Sequence, residues 1–131
     1  MSVYPVRLVD TMMGGGESVQ DWSAPALRLT LRTIIQARVE REVAAFNANR
    51  PDVYHGLVAP AECERVLNGY RVKRLRELDA SEEVDRAFRA FEAKGFAVFV
   101  NGRQVETLDE EIDLEAAKAV EFVRLLPLMG G

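Results

Sequence analysis

The hydrophobic period of this chain changes at Leu31, and that change limits the folds open to it. Upstream, Ala26-Leu27-Arg28-Leu29-Thr30-Leu31 alternates apolar and polar side chains, the period of a strand with one buried face. Downstream, Leu31, Ile35, Val39, Val43 and Phe46 recur at helical spacing, while Gln36, Arg38, Glu40, Arg41 and Glu42 fill the opposite side. The spacing predicts a long amphipathic helix, capped by Thr30 or Thr33 and stopped between Asn47 and Pro51. A helix with one apolar stripe has to bury it, and strands on either side in sequence supply a surface.

Those strands are legible to different degrees. Val3 to Val9 has strand composition despite Pro5, and Gly14-Gly15-Gly16 with the polar run to Ser23 reads as a long loop leading to a second strand over 26–31. Residues 48–78 are irregular, with an extended piece near Tyr54, Leu57 and Val58 and a short helix over Ala61 to Leu67. Asp79-Ala80-Ser81-Glu82 starts a second helix that presents Val84, Ala87, Phe88 and Phe91 on one face and ends at Gly95. Phe96 to Val100 is a strand, Asn101-Gly102 a tight hairpin turn and Arg103 to Glu106 a short return. Ala119 to Leu126 reads as a last buried strand that Pro127 terminates. The order predicts one α+β domain over 1–131: a mixed sheet packed on one long helix, with a helical insertion at 47–95 before the third strand and a tail at 127–131.

Charge and composition narrow the function. A formal charge of -4 and a pI near 5.1 do not suit phosphate binding, which needs Lys and Arg concentrated on one face, so no nucleic-acid partner is expected. Only Lys73, Lys94 and Lys118 are lysines, which leaves few attachment points for a protein that builds chains on itself. Cys63 and His55 are each the sole residue of their kind, so an intramolecular disulfide and a Cys/His zinc site are both excluded. No catalytic residue, metal or bound cofactor is expected. No run of about 18 apolar residues occurs, and Met1 to Leu8 has neither a basic lead with a long apolar run nor a small-residue cleavage site. The expectation is a cytoplasmic protein with no membrane partner.

The segment Phe99-Val100-Asn101-Gly102-Arg103-Gln104-Val105, with Val120 through Gly131, resembles the C-terminal half of the β-grasp carriers. Ubiquitin-like modifiers have an apolar strand, a tight Gly-basic-Gln turn, an acidic loop, a last strand and a tail ending in Gly-Gly. Gly102-Arg103-Gln104 and Gly130-Gly131 match that layout. The small subunit of molybdopterin synthase and related sulfur carriers are similar, with Val-Asn-Gly at the turn and proline in the tail, as in Val100-Asn101-Gly102 and Pro127. Pro127 stands where the ubiquitin pattern has an arginine that activating enzymes read. The order of elements extends the likeness over the first 46 residues, residues 47–95 match neither family, and large divergent ubiquitin-like proteins of bacterial conjugation operons resemble the whole.

The resemblance implies a β-grasp fold and chemistry at the carboxylate of Gly131. A carboxylate is a poor electrophile, and in these families an E1-like adenylating enzyme activates it with ATP. The protein is then a substrate and carrier, not an enzyme. In a modifier the acyl group passes as a thioester, through an E2-like enzyme, to a lysine or hydroxyl of a protein target. The alternative is a sulfur carrier whose adenylate becomes a thiocarboxylate for cofactor biosynthesis, and a further alternative is an interaction module whose tail is idle. Glycine suits a narrow activation channel because it has no side chain and free access to φ and ψ, which assigns Gly130 and Gly131 to conjugation. Pro127 lacks an N–H and fixes φ, so it holds the tail off the sheet, and Leu128 and Met129 become apolar grips for a partner groove.

Other features carry less. Gly14-Gly15-Gly16 lacks the following Lys-Ser or Lys-Thr of a phosphate loop, and His55 and Cys63 read as structural residues. Asp109, Glu110, Glu111 and Asp113 read as solvated surface, with docking of a basic partner as the lesser reading. Trp22 fits a packed or an exposed position equally. Phe99, Val123 and Leu125 form a candidate binding patch on one sheet face, which the inserted segment would equally be able to cover.

Overall fold

The computed structural model describes residues 3–12, 16–49, 51–66, 69–72 and 77–124. Its elements are β1 (Tyr4–Met12), β2 (Glu17–Ala24), β3 (Arg28–Thr30), α1 (Leu31–Asn49), β4 (Cys63–Val66), β5 (Gly69–Val72), α2 (Ala80–Glu92), β6 (Phe96–Val100), β7 (Arg103–Val105), β8 (Glu111–Asp113), α3 (Leu114–Ala117) and β9 (Ala119–Arg124). The protein is α+β, with a five-stranded mixed sheet and a long helix. Two compact units form: Met1–Arg32 with Phe91–Gly131, and Thr33–Ala90.

The first unit contains the sheet, in the order β2-β1-β9-β6-β7. β1 pairs antiparallel with β2 and parallel with β9, so the first and last strands of the chain are central neighbours. β6 pairs antiparallel with both β9 and β7. Period-2 alternation sends Val6 and Leu8, Trp22 and Ala24, Val98 and Val100, and Val120 and Phe122 to one buried face. Phe96 joins them, its ring centroid 5.7 Å from Phe91 and 6.2 Å from Phe122, within the range of favourable aromatic pairs. The β6–β7 turn follows its sequence signal: Asn101 and Gly102 both have positive φ, 53° and 78°, as a two-residue hairpin of matching twist requires.

Two expectations about this unit are corrected. The partner of β1 is Glu17–Ala24, residues that read as loop, and the alternating 26–31 segment contributes the three-residue β3, which pairs with β8. The inward positions of β2 are Ser18, Gln20, Trp22 and Ala24, so only its second half carries an apolar signal. Trp22 is buried there, which resolves its two readings. The end of α2 is the second correction. Lys94, with φ 65°, takes the left-handed position and donates its N–H to the Phe91 carbonyl, one residue before Gly95.

The second unit holds most of α1, the β4–β5 hairpin and most of α2. Ile35, Val39, Val43 and Phe46 are buried as the spacing predicts, and Ile34 joins them. Arg38 does not lie on the polar side: it is 1% exposed and its Nε donates to Glu42 Oε2 at 3.1 Å. The carboxylate of Glu42 also accepts from the Leu57 N–H at 2.9 Å, so one ion pair fixes both a helix turn and a loop. Asn47 and Leu78 exchange two hydrogen bonds, of 3.0 and 2.8 Å. The segment from Ala61 is a strand and not a helix, with Leu67 outside the described residues: Cys63–Val66 pairs with Gly69–Val72, and Glu64 faces Arg71. Tyr54 bridges to Tyr70, and a Cβ on Gly69 would stand 2.6 Å from the Tyr54 carbonyl oxygen, so glycine is required by the approach of that backbone. α2 starts as expected, with the Asp79 carboxylate accepting from the Glu82 N–H.

Candidate functional site

β9 carries the chain to the residues on which the sequence places its chemistry. Its inward side chains are Val120, Phe122 and Arg124, and those of its parallel neighbour β1 are Val6, Leu8 and Asp10, so a guanidinium and a carboxylate replace the apolar pair at the end of the sheet. Arg124 Nη2 donates to Asp10 Oδ2 at 3.2 Å, and Arg124 Nε is buried without a hydrogen-bond partner. Asp10 is 7% exposed. The pair is stabilised by its mutual attraction, because removing either charge leaves the other partly desolvated beside the core. The last described residue of the chain is therefore anchored through its side chain as well as its ladder bonds.

Leu125, Pro127, Leu128, Met129, Gly130 and Gly131 lie outside the described residues. Of the remaining site residues, Phe99 and Val123 are half-buried on the sheet face opposite the core. Register places Val123 against Ala97 and Phe99 against Glu121, which makes Phe99 and Val123 diagonal neighbours. Glu121 on the same face accepts from the Thr11 hydroxyl at 2.9 Å. Around Phe99 and Val123 the face is thus apolar, interrupted by a bonded carboxylate.

The acidic segment after β7 is organised by arginines. Arg32 Nε lies 3.1 Å from Asp109, Arg28 lies 3.4 Å from Glu111 and 3.9 Å from Asp113, and Arg103 pairs with Glu110. The Asp113 carboxylate also caps α3, accepting from the Glu115 and Ala116 N–H groups. Backbone adds to this: the Leu31 and Arg32 N–H groups, which open α1 and have no partner within it, donate to the carbonyls of Glu110 and Leu108 at 3.0 and 2.8 Å. The segment remains exposed, but its charges serve the local fold.

His55 is exposed and Cys63 half-buried on β4. Among the described residues no three His, Cys, Asp or Glu side chains come together to hold a metal ion, and no helix is long and apolar enough to cross a membrane. Asp10 and Arg124 are the residues that sequence reasoning missed. Their signal was a charge on the inward period of each strand, after Val6 and Leu8 in one and after Val120 and Phe122 in the other. No protein-family model, curated protein or solved structure matches the chain.

Proposed function

We propose that the protein is a β-grasp, ubiquitin-like modifier whose carboxylate at Gly131, as the mature terminus, is adenylated by an E1-like enzyme using ATP and transferred through a thioester to a protein target. The observation that carries this reading is the position of β9. A β-grasp sets its first and last strands side by side and parallel at the centre of the sheet, with a hairpin on each flank, and the order β2-β1-β9-β6-β7 has that arrangement. A central last strand, fixed at Arg124 by Asp10, gives the residues that follow a rigid origin. Glycine at the end of a tail adds no side chain for a narrow partner channel to exclude.

The sulfur-carrier reading shares this architecture and has the Val100-Asn101-Gly102 turn and Pro127 in its favour. Truncation tests the common requirement. Removing Gly131 abolishes conjugate formation and thiocarboxylate formation in the native host, while the melting temperature of the truncated protein stays within about 1 °C of the parent, because no described core residue lies beyond Phe122. Conjugates at parental level from the truncated protein would refute the proposal. Loss of conjugates alone identifies the modifier, loss of thiocarboxylate alone the carrier, and an unchanged cell in both respects leaves the interaction module as the description.

A further inference from the structure

We infer that the second unit carries a binding site for a small phosphate monoester with an apolar body, in a cleft between α2 and the chain at Val58 and Ala59. The cleft measures about 370 Å³ and is lined by Val58, Ala59, Arg86, Arg89 and Ala90, all within that unit. That volume lies at the lower end of the range of small-molecule sites. Arg86, Arg89 and Ala90 are three and four residues apart, so they share one side of α2. Two hydrogen bonds hold the facing chain in place. Arg86 Nε donates to the Ala59 carbonyl at 3.3 Å, and the Ala61 N–H donates to Glu83 Oε2 at 3.5 Å. Both walls are therefore fixed by the fold itself.

Charge and donor geometry choose the ligand. Arg86 Nε also lies 3.7 Å from Glu83 Oε1, and Glu83 is buried, so its carboxylate offsets part of one positive charge. The Nη groups of Arg86 have no protein partner and its side chain is 37% exposed, while the exposed Arg89 has no hydrogen bond or ion pair among the described residues. The fold thus uses one donor of Arg86 and none of Arg89, and most of their N–H groups are left for a ligand. The five lining residues include two guanidiniums and no carboxylate, an arrangement that favours an anion. Guanidinium forks match the oxygens of a phosphoryl group. A phosphate monoester carries close to two negative charges near neutral pH, so it answers both arginines where a carboxylate answers one. Val58, Ala59 and Ala90 supply apolar surface for the body of the ester. The inference rests on the inserted segment and uses neither the tail nor its activation.

The test is a titration of the full-length, 15N-labelled protein with phenyl phosphate at low salt and about pH 7.5, where the ester is a dianion. The amides of Val58, Ala59, Arg89 and Ala90 are expected to shift together along one isotherm. Phenol, without charge, and benzoate, with one, each bind at least about tenfold more weakly. Inorganic phosphate, which lacks the body, binds about tenfold more weakly as well. Arg89→Gln weakens phenyl phosphate at least about tenfold, and Arg89→Lys, which keeps the charge and loses the fork, weakens it by less. If Arg89→Gln fails to fold, the series of ligands decides the matter on the unaltered protein. A capped pentapeptide with phosphotyrosine between alanines binds no more tightly than phenyl phosphate, as a small-molecule site requires. Removing Gly131 leaves the affinity unchanged, which separates this site from the proposed activation chemistry. The inference is overturned by an absence of shifts at millimolar phenyl phosphate, by shifts centred elsewhere, by equal binding of benzoate or inorganic phosphate, by unchanged affinity in folded Arg89→Gln, or by tighter binding of the phosphopeptide.

Discussion

Asp10 and Arg124 lie on the buried period of adjacent strands, where each stabilises the other. Asp10→Ala would strand a guanidinium whose Nε already lacks a partner, and urea denaturation should show a loss of about 2–3 kcal/mol. Replacing both by leucine is expected to cost less than Asp10→Ala alone; a double variant weaker than the single one would show that the pair contributes more than it costs to bury. Arg38 and Glu42 obey the same rule with unequal partners. The Arg38 side chain is 1% exposed and that of Glu42 12%, so the guanidinium has less recourse to water. Glu42→Ala should therefore destabilise by about 3 kcal/mol or more, and Arg38→Met by less. Both arginines reveal a limit of reading charge as surface: residue type argued for solvent, and a partner four residues on or on another strand draws the guanidinium inward.

At the level of elements, the β6–β7 turn and the first residue of β5 separate two uses of glycine. Gly102 has φ 78° and open space around its missing Cβ, so Gly102→Ala should cost only the conformational penalty, about 1 kcal/mol, and Gly102→Asn should recover most of it. Gly69 is limited by contact, since any Cβ meets the Tyr54 backbone, and there alanine and asparagine should both disrupt the Tyr54–Tyr70 bridge, read as loss of amide protection in hydrogen exchange. The elements legible in the sequence, β1, α1, α2, the β6–β7 hairpin and β9, are those with an apolar period, joined in α2 and the hairpin by a recognisable cap or turn. β2 was illegible because Ser18 and Gln20 occupy half its inward positions. The β4–β5 hairpin lies in a stretch too irregular in hydrophobicity to frame it. The ladder of β3 with β8 has no local signature: three residues from each side meet where α1 opens on the Leu108 and Glu110 carbonyls, the Leu114 N–H donates to the Leu27 carbonyl and Arg28 pairs with Glu111.

For the whole molecule, the candidate site divides into a part the fold supports and a part the sequence alone supplies. Phe99 and Val123 share one face because both lie on the outward period of paired strands. The tail residues follow from the sequence, and the architecture contributes the anchored strand from which they continue. The position of Arg124 makes the proposal directly measurable, because it is the last basic residue of the chain and trypsin cleaves after it. Tryptic digestion of proteins from the native host, read by mass spectrometry, should find target lysines bearing the branched remnant Leu125 to Gly131 through an isopeptide bond, and the same lysines bare when Gly131 is deleted. Finding no such remnant in cells that express the protein, with its own C-terminal peptide recovered entirely as the free acid, would contradict the account.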